Sequence, residues 1–163
     1  VNNMRAIWSV CGIVMAALAI SACGGGRCGP ASAEVARVID GDTIELSDGK
    51  RVRYLLVDAP ENTSGHVDCY GPEAAAYNRM LVEGQRIKLA YDVECTDNYG
   101  RLLAWVEVNG VSVNARLIEQ GYACVLYIPP NGESRRAEFM NLQAEARAAG
   151  RGMWGVCEVI GCE

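Results

Sequence analysis

The sequence predicts a small closed β-barrel with three helices packed on it, and three observations carry that prediction. Short stretches rich in Val, Ile, Leu and Tyr recur five times between residues 34 and 108, too few strands for a two-sheet sandwich. Three segments with helical spacing accompany them, the last near the end of the chain. The region that holds all eight elements is about 125 residues long, the size of one domain with one core. The OB-fold is a five-stranded barrel of this size.

Each element follows from local chemistry. Glu34 to Ile39 and Thr43 to Leu46 read as the first two strands, joined by Asp40-Gly41-Asp42. Ser47-Asp48-Gly49-Lys50 is a hairpin turn, because Asp-Gly supplies the positive φ that a tight turn needs. Arg51 to Val57 is the third strand, ended by Asp58-Ala59-Pro60-Glu61, since proline withdraws a ladder donor. A polar loop, Asn62 to Tyr70, follows. Gly71-Pro72-Glu73 opens a helix, with Pro72 and Glu73 suited to its first turn, and Gly84 stops it after Glu83. Gln85 to Tyr91 and Leu102 to Val108 are the fourth and fifth strands. A short helix runs from Val113 to Gln120, and Cys124 to Ile128 is a brief extended segment before Pro129-Pro130. The last helix spans Arg135 to Ala149, with Phe139, Leu142 and Ala146 on one face.

The chain ahead of this domain has a different character. Arg5, a short apolar run and small residues up to Ala22 have the pattern of a secretory signal peptide, expected over residues 1–22. Ile20-Ser21-Ala22-Cys23 resembles the bacterial lipobox, which implies lipidation of Cys23; an ordinary signal peptide is the alternative. Residues 23–33, opening with Gly24-Gly25-Gly26, are expected to be a lipidated flexible tether. The domain is expected over 34–157 and a short tail over 158–163. Export to the cell envelope follows, on the periplasmic or outer face of a membrane. The only membrane attachment is the N-terminal lipid, and the protein is expected to be a monomer.

Fifteen Lys and Arg against twenty Asp and Glu leave a net charge of −5. That balance argues against a general electrostatic grip on nucleic acid, though not against a locally basic cleft. Cys28, Cys69, Cys95, Cys124, Cys157 and Cys162 remain once Cys11 and Cys23 are set aside. An even number in an exported protein points to disulfides, with the pairing open. Cys69 and Cys95 both flank the acidic segments, so a strap between their two loops is one expectation. With no CxxC pair and one histidine, His66, a structural zinc site is disfavoured.

Acidic residues gather at two strand ends: Asp40 with Asp42, and Asp58 with Glu61. Carboxylates and a backbone carbonyl are ligands for a hard cation such as Ca²⁺, but Asp-Gly-Asp is equally the chemistry of a turn. Arg53 and Arg101 stand nearby in sequence, and a guanidinium fork suits a phosphate. A straight strand would hold Arg53 roughly 16 Å from Asp58, so the two meet only if the chain curves or the side chain reaches back.

Ile39-Asp40-Gly41-Asp42-Thr43-Ile44, Arg53 to Glu61, Tyr70 to Ala74, and Asp97-Asn98-Tyr99-Gly100-Arg101-Leu102-Leu103-Ala104 together resemble the staphylococcal nuclease (thermonuclease) family. Val113-Asn114, Gly121-Tyr122-Ala123 and Gly150 to Trp154 agree. The resemblance implies an OB-fold with three helices that hydrolyses DNA and RNA with one Ca²⁺ and leaves 3′-phosphate ends. It implies Asp42, Asp58 and the Ala59 carbonyl as metal ligands. It also implies Glu61 as general base, Arg53 and Arg101 on the phosphate, and Tyr99 and Tyr127 against the nucleotide. Ala59 stands where the best-known member has threonine, and Asn98 where it has lysine. Two competing classes remain: a noncatalytic nucleic-acid-binding barrel and an envelope interaction protein.

Overall fold

The computed structural model describes residues 28–158 and residue 160. The expected signal peptide, Cys23, the start of the tether and most of the tail lie outside the described residues.

The described chain forms β1 (Ser32–Val38), β2 (Thr43–Leu46), β3 (Arg51–Tyr54), β4 (Asn62–Thr63), β5 (His66–Val67), α1 (Gly71–Val82), β6 (Arg86–Ala90), β7 (Leu102–Val108), β8 (Val111–Ser112), α2 (Val113–Glu119), α3 (Arg136–Ala148) and α4 (Met153–Val156). β1, β2 and β3 form an antiparallel meander. β6 joins the other edge of β1, and β7 joins β6. Parallel pairing of β3 with β7, Val52 opposite Leu102, closes the sheet into a five-stranded barrel, the OB-fold the sequence predicts. A register shift between Val35 and Arg37 lets β1 turn from β2 to β6, as bulges do at barrel corners.

Alternation fills the barrel. Val52 and Tyr54 on β3, Ile87 and Leu89 on β6, and Leu102, Ala104 and Val106 on β7 point inward. Leu117 and Ile118 of α2 and Phe139 of α3 cover one end of the same core, each fully buried.

Five boundaries differ from expectation. Residues 28–33 are part of the fold rather than tether. Cys28 is disulfide-bonded to Cys95, the Pro30 carbonyl accepts from the Tyr91 hydroxyl at 2.9 Å, and the Ala31 carbonyl accepts from Leu89 N–H at 2.9 Å. Two of these three ties use backbone carbonyls, which glycine-rich composition does not reveal. The third strand ends at Tyr54, not Val57, because Leu56 adopts a left-handed conformation (φ 59°). The loop after it contains the β4–β5 hairpin. Cys124 forms an isolated β-bridge with Asp58, and the segment after it is not a strand. The last helix starts at Arg136, preceded by a 3₁₀ turn, and α4 is an additional turn of helix.

The disulfides also correct an expectation. Cys69 pairs with Cys157 and Cys28 with Cys95, so no bridge joins the loops of Cys69 and Cys95. The Cys28–Cys95 bridge fastens the N-terminal segment to the loop before β7. The Cys69–Cys157 bridge fastens the start of α1 to the end of α4.

Candidate active site

The left-handed Leu56 brings the acidic and basic groups together. It turns the chain back on itself directly after β3, so Arg53 meets residues that a straight strand would hold far away. The Arg53 guanidinium lies 2.9 Å from Asp42 Oδ2 and 2.9 Å from Asp58 Oδ1, and donates as well to the Val57 carbonyl. The distance problem is solved by a turn, not by barrel curvature. Asn114 at the start of α2 holds that turn, donating to the Leu55 carbonyl at 2.9 Å while accepting from Val106 N–H at 2.8 Å. It is fully buried.

Asp42 sits at the head of β2, buried on all sides. Its Oδ2 accepts from Ala59 N–H at 2.8 Å and its Oδ1 from the Thr43 hydroxyl at 2.9 Å. Asp42, Arg53, Asp58 and Ala59 therefore form one cluster. Burial pushes the Asp42 carboxyl up to about 7, outweighing the Arg53 guanidinium, and Asp40 adds to the rise. Burial also raises Asp58, against the pull of Arg53.

Asp40 and Asp42 have different places. Asp40 Oδ1 accepts from the Asp42 N–H at 3.0 Å, an Asx turn that fixes the loop. The Asp40 carbonyl accepts from Asn78 Nδ2 at 3.0 Å, and Asn78 Oδ1 accepts from the Tyr54 hydroxyl at 3.0 Å. This buried chain of bonds ties the Asp40–Asp42 loop to α1 and β3. Asn78→Ala would orphan the hydroxyl and the carbonyl together. The expected cost is roughly 2–3 kcal/mol, read as a fall in Cm by denaturant titration.

Gly41 is required for space. A Cβ there would stand 2.4 Å from the Ala59 Cβ and 3.0 Å from the Ala74 Cβ, where the Asp40–Asp42 loop, the Asp58–Ala59 loop and α1 converge. Its φ is not in the left-handed region. Gly41→Ala is therefore expected to push Ala59 away from Asp42 and lower activity at least as much as stability, by kinetics and thermal melting on one sample.

Glu61 follows two residues beyond Ala59, exposed, with its backbone N–H and carbonyl both bonded to Asp68. Arg101 lies across a cleft of about 330 Å³ whose lining includes Arg53, Leu56, Asp97, Tyr99 and Arg101. Asp97 aims Arg101: it accepts from Arg101 Nε at 2.7 Å and from the backbone N–H groups of Tyr99 and Arg101. Tyr99 is 86% exposed, with the Arg101 guanidinium 5.4 Å from its ring centre. Tyr127 does not line this cleft. Its neighbours Leu126 and Ile128 do, while its own ring lies under the Arg136 guanidinium. Asp97 and Asn114 fall inside the motif blocks, but nothing in the sequence marks them as positioning residues; Asn78 lies outside those blocks.

Among the described residues no group of three or more His, Cys, Asp or Glu is placed to hold a metal. The donor set at this site is two carboxylates with the Ala59 backbone beside them. That all-oxygen set suits a hard cation. Burial disfavours the charged form of Asp42, and a cation beside it would favour that form again.

A closed OB barrel that sets two carboxylates on one guanidinium, and lines a cleft with that guanidinium, a second one and an exposed aromatic, defines a class suited to phosphate esters; Asp42, Asp58 and Glu61 themselves lie outside the cleft lining. The family model described as Staphylococcal nuclease homologue matches residues 51–156, and the chain belongs to that family. It is 39% identical to Endonuclease YncB of Bacillus subtilis (strain 168) over 124 residues, which are 72% of this chain and 59% of that protein. It is 36% identical to SPbeta prophage-derived endonuclease YokF of the same organism over 124 residues, 72% of this chain and 42% of that one. Thermonuclease of Staphylococcus intermedius is 38% identical over 125 residues, 74% of each chain. The chain thus spans about half the length of the two Bacillus relatives.

Proposed function

We propose that the protein is a Ca²⁺-dependent nuclease that hydrolyses phosphodiesters of DNA and RNA with little sequence preference, leaving 3′-phosphate ends. The observation that carries this reading is the single Arg53 guanidinium set between Asp42 and Asp58, with Arg101 opening onto the same cleft. Family membership and the endonucleases it resembles support it.

The residues divide the work. Asp42, Asp58 and the Ala59 carbonyl would hold the cation, which supplies positive charge to the phosphate as it gains negative charge. Arg53 and Arg101 bind the non-bridging oxygens, where that charge grows. Glu61 takes a proton from the attacking water. Water oxygen bonds to phosphorus, the bond to the 5′-oxygen breaks, and that oxygen takes up a proton. The products are a 3′-phosphate and a 5′-hydroxyl. Tyr99 offers a face on which any base can stack, consistent with low sequence preference. The test is digestion of heat-denatured DNA and of RNA by the purified domain, in Ca²⁺ and then in EDTA, with end-group analysis. No digestion in Ca²⁺ leaves a noncatalytic binding barrel as the better reading.

We also infer an exported, monomeric envelope lipoprotein. The support for export and lipidation is the sequence of residues 4–23, outside the described residues. Cys23→Ser is expected to abolish acyl labelling and to release the protein from membranes.

A further inference from the structure

A second cleft, of about 550 Å³, adjoins the catalytic one and shares two residues with it. It is lined by Gly49, Lys50, Arg51, Tyr99, Gly100 and Arg101. Tyr99 and Arg101 border both clefts, so a ligand on Arg101 can continue from one into the other.

The barrel closure creates this arrangement. β3 and β7 run parallel, with Val52 opposite Leu102 and Arg53 opposite Leu103. The turns that precede the two strands therefore lie side by side, and each carries cations at its exit: Lys50 and Arg51 on one, Arg101 on the other. Along β3 the burial alternates, with Val52 and Tyr54 inward and Arg51 and Arg53 outward. Two residues of strand separate Arg51 from Arg53 by roughly 6.6 Å. That is comparable to the step between neighbouring phosphates of an extended single strand.

Arg51 is available to a phosphate. Glu45, its nearest acid, is held in a two-point fork by Arg37 at 3.0 and 2.8 Å, leaving Arg51 Nε 3.8 Å away. Lys50 pairs with Asp48 inside the exposed hairpin turn, an ion pair that water and salt screen. Both turns are topped by glycine in left-handed conformations, Gly49 at φ 83° and Gly100 at φ 76°, and a Cβ at either would meet nothing within 4 Å. The rims are bare, so a backbone can approach closely.

We propose that Lys50 and Arg51 form a second phosphate subsite for single-stranded nucleic acid, one nucleotide step along β3 from the phosphate held by Arg53, with Tyr99 stacking between the two. The inference rests on the nuclease reading and extends it. The catalytic cleft selects the bond to be cut, and the hairpin cleft grips the strand beyond it. An acidic protein thereby obtains a local handhold that its net charge does not provide.

The test compares a single-stranded DNA oligomer with a dinucleotide as substrates, in Ca²⁺, for wild type and for the Lys50→Ala/Arg51→Ala double variant. The preference in kcat/KM for the oligomer over the dinucleotide should fall about tenfold in the double variant, mainly through KM. The slope of log KM against log salt should flatten by roughly 0.7 for each phosphate that the variant no longer neutralises. Arg51→Gln, which keeps the hairpin intact, should move both readouts in the same direction by less. A folded double variant, by circular dichroism and melting, with unchanged preference and slope overturns the subsite while leaving the nuclease reading in place. Wild type that cleaves neither substrate overturns the nuclease reading, and the subsite with it.

Discussion

Asp42→Asn is expected to lower nuclease activity by about 10²-fold or more while raising the stability of the protein in EDTA at pH 8. Both effects come from the same atoms. The carboxylate is buried, and removal from water pushes its pKa from 3.8 to about 7 despite the guanidinium at 2.9 Å. Keeping it ionised at neutral pH therefore costs the fold on the order of 2–4 kcal/mol. An asparagine of the same shape fits the site's donors. Its Oδ1 can accept from Arg53 and Ala59 as Oδ2 does now, and its Nδ2 can donate to a Thr43 hydroxyl turned to receive it. The charge disappears and the hydrogen bonds remain. What is lost is a negative ligand for the cation that would neutralise charge at the phosphate.

The direction with pH is fixed by the raised pKa. A carboxyl whose folded pKa exceeds its unfolded value adds stability at low pH, and that stability is lost as pH rises through the folded pKa. In EDTA, the stability of wild type relative to Asp42→Asn should therefore decline between about pH 4 and pH 7 and level off above. Adding Ca²⁺ at pH 8 should raise the Tm of wild type by mass action and leave that of Asp42→Asn nearly unchanged. Chemical denaturation across pH, and melting with and without Ca²⁺, read these effects without reference to activity. A stabilised variant that keeps full activity would remove Asp42 from the metal site.

Much of this fold is legible in the sequence because strands and helices have periods and punctuation. The alternation in Arg51-Val52-Arg53-Tyr54 and the Gly84 stop are local signals, and the elements form there. What is not legible is what depends on distant partners. Leu56 has no sequence feature that announces a left-handed residue, so sequence pattern extends the third strand three residues too far. That same extension hides the route by which Arg53 reaches Asp58. Gly41 reads in sequence as part of an Asp-Gly-Asp turn, whereas its constraint is the approach of Ala59 and Ala74, 18 and 33 residues away along the chain. Cys28 resembles tether because its neighbours include glycines, yet its partner lies 67 residues on. The candidate residues themselves are legible as a motif set. Asp97 and Asn114 belong to that set too, but their positioning bonds are not legible, and Asn78 carries no signal at all, because a polar side chain looks like any other until its bonds are seen.

Arg53→Ala and Arg101→Ala are each expected to reduce activity by about 10²–10³-fold, and only the first should destabilise the fold. The two guanidiniums are set differently. Arg53 has a side chain 15% exposed and serves Asp42, Asp58 and the Val57 carbonyl together. Removing it leaves two partly or fully buried carboxylates facing each other without a cation, at a cost of roughly 2–3 kcal/mol at pH 8. Asp42 can escape part of that cost by taking up a proton, so the loss should shrink at pH 5, where its neutral form already prevails in the wild type. Arg101 pairs with Asp97 at the cleft rim, and both are partly exposed. Asp97 also accepts two backbone N–H groups, so it keeps partners when Arg101 is gone. The expected change in stability for Arg101→Ala is therefore within about 1 kcal/mol. Arg53→Lys separates the roles further. An ammonium can stay near one carboxylate and recover part of the stability, but it has no fork to span both acids and a phosphate, so activity should remain close to that of Arg53→Ala. Denaturation and kinetics on wild type and these three variants decide the matter: equal destabilisation by Arg53→Ala and Arg101→Ala would show that Arg53 is not the residue that ties the two acids together.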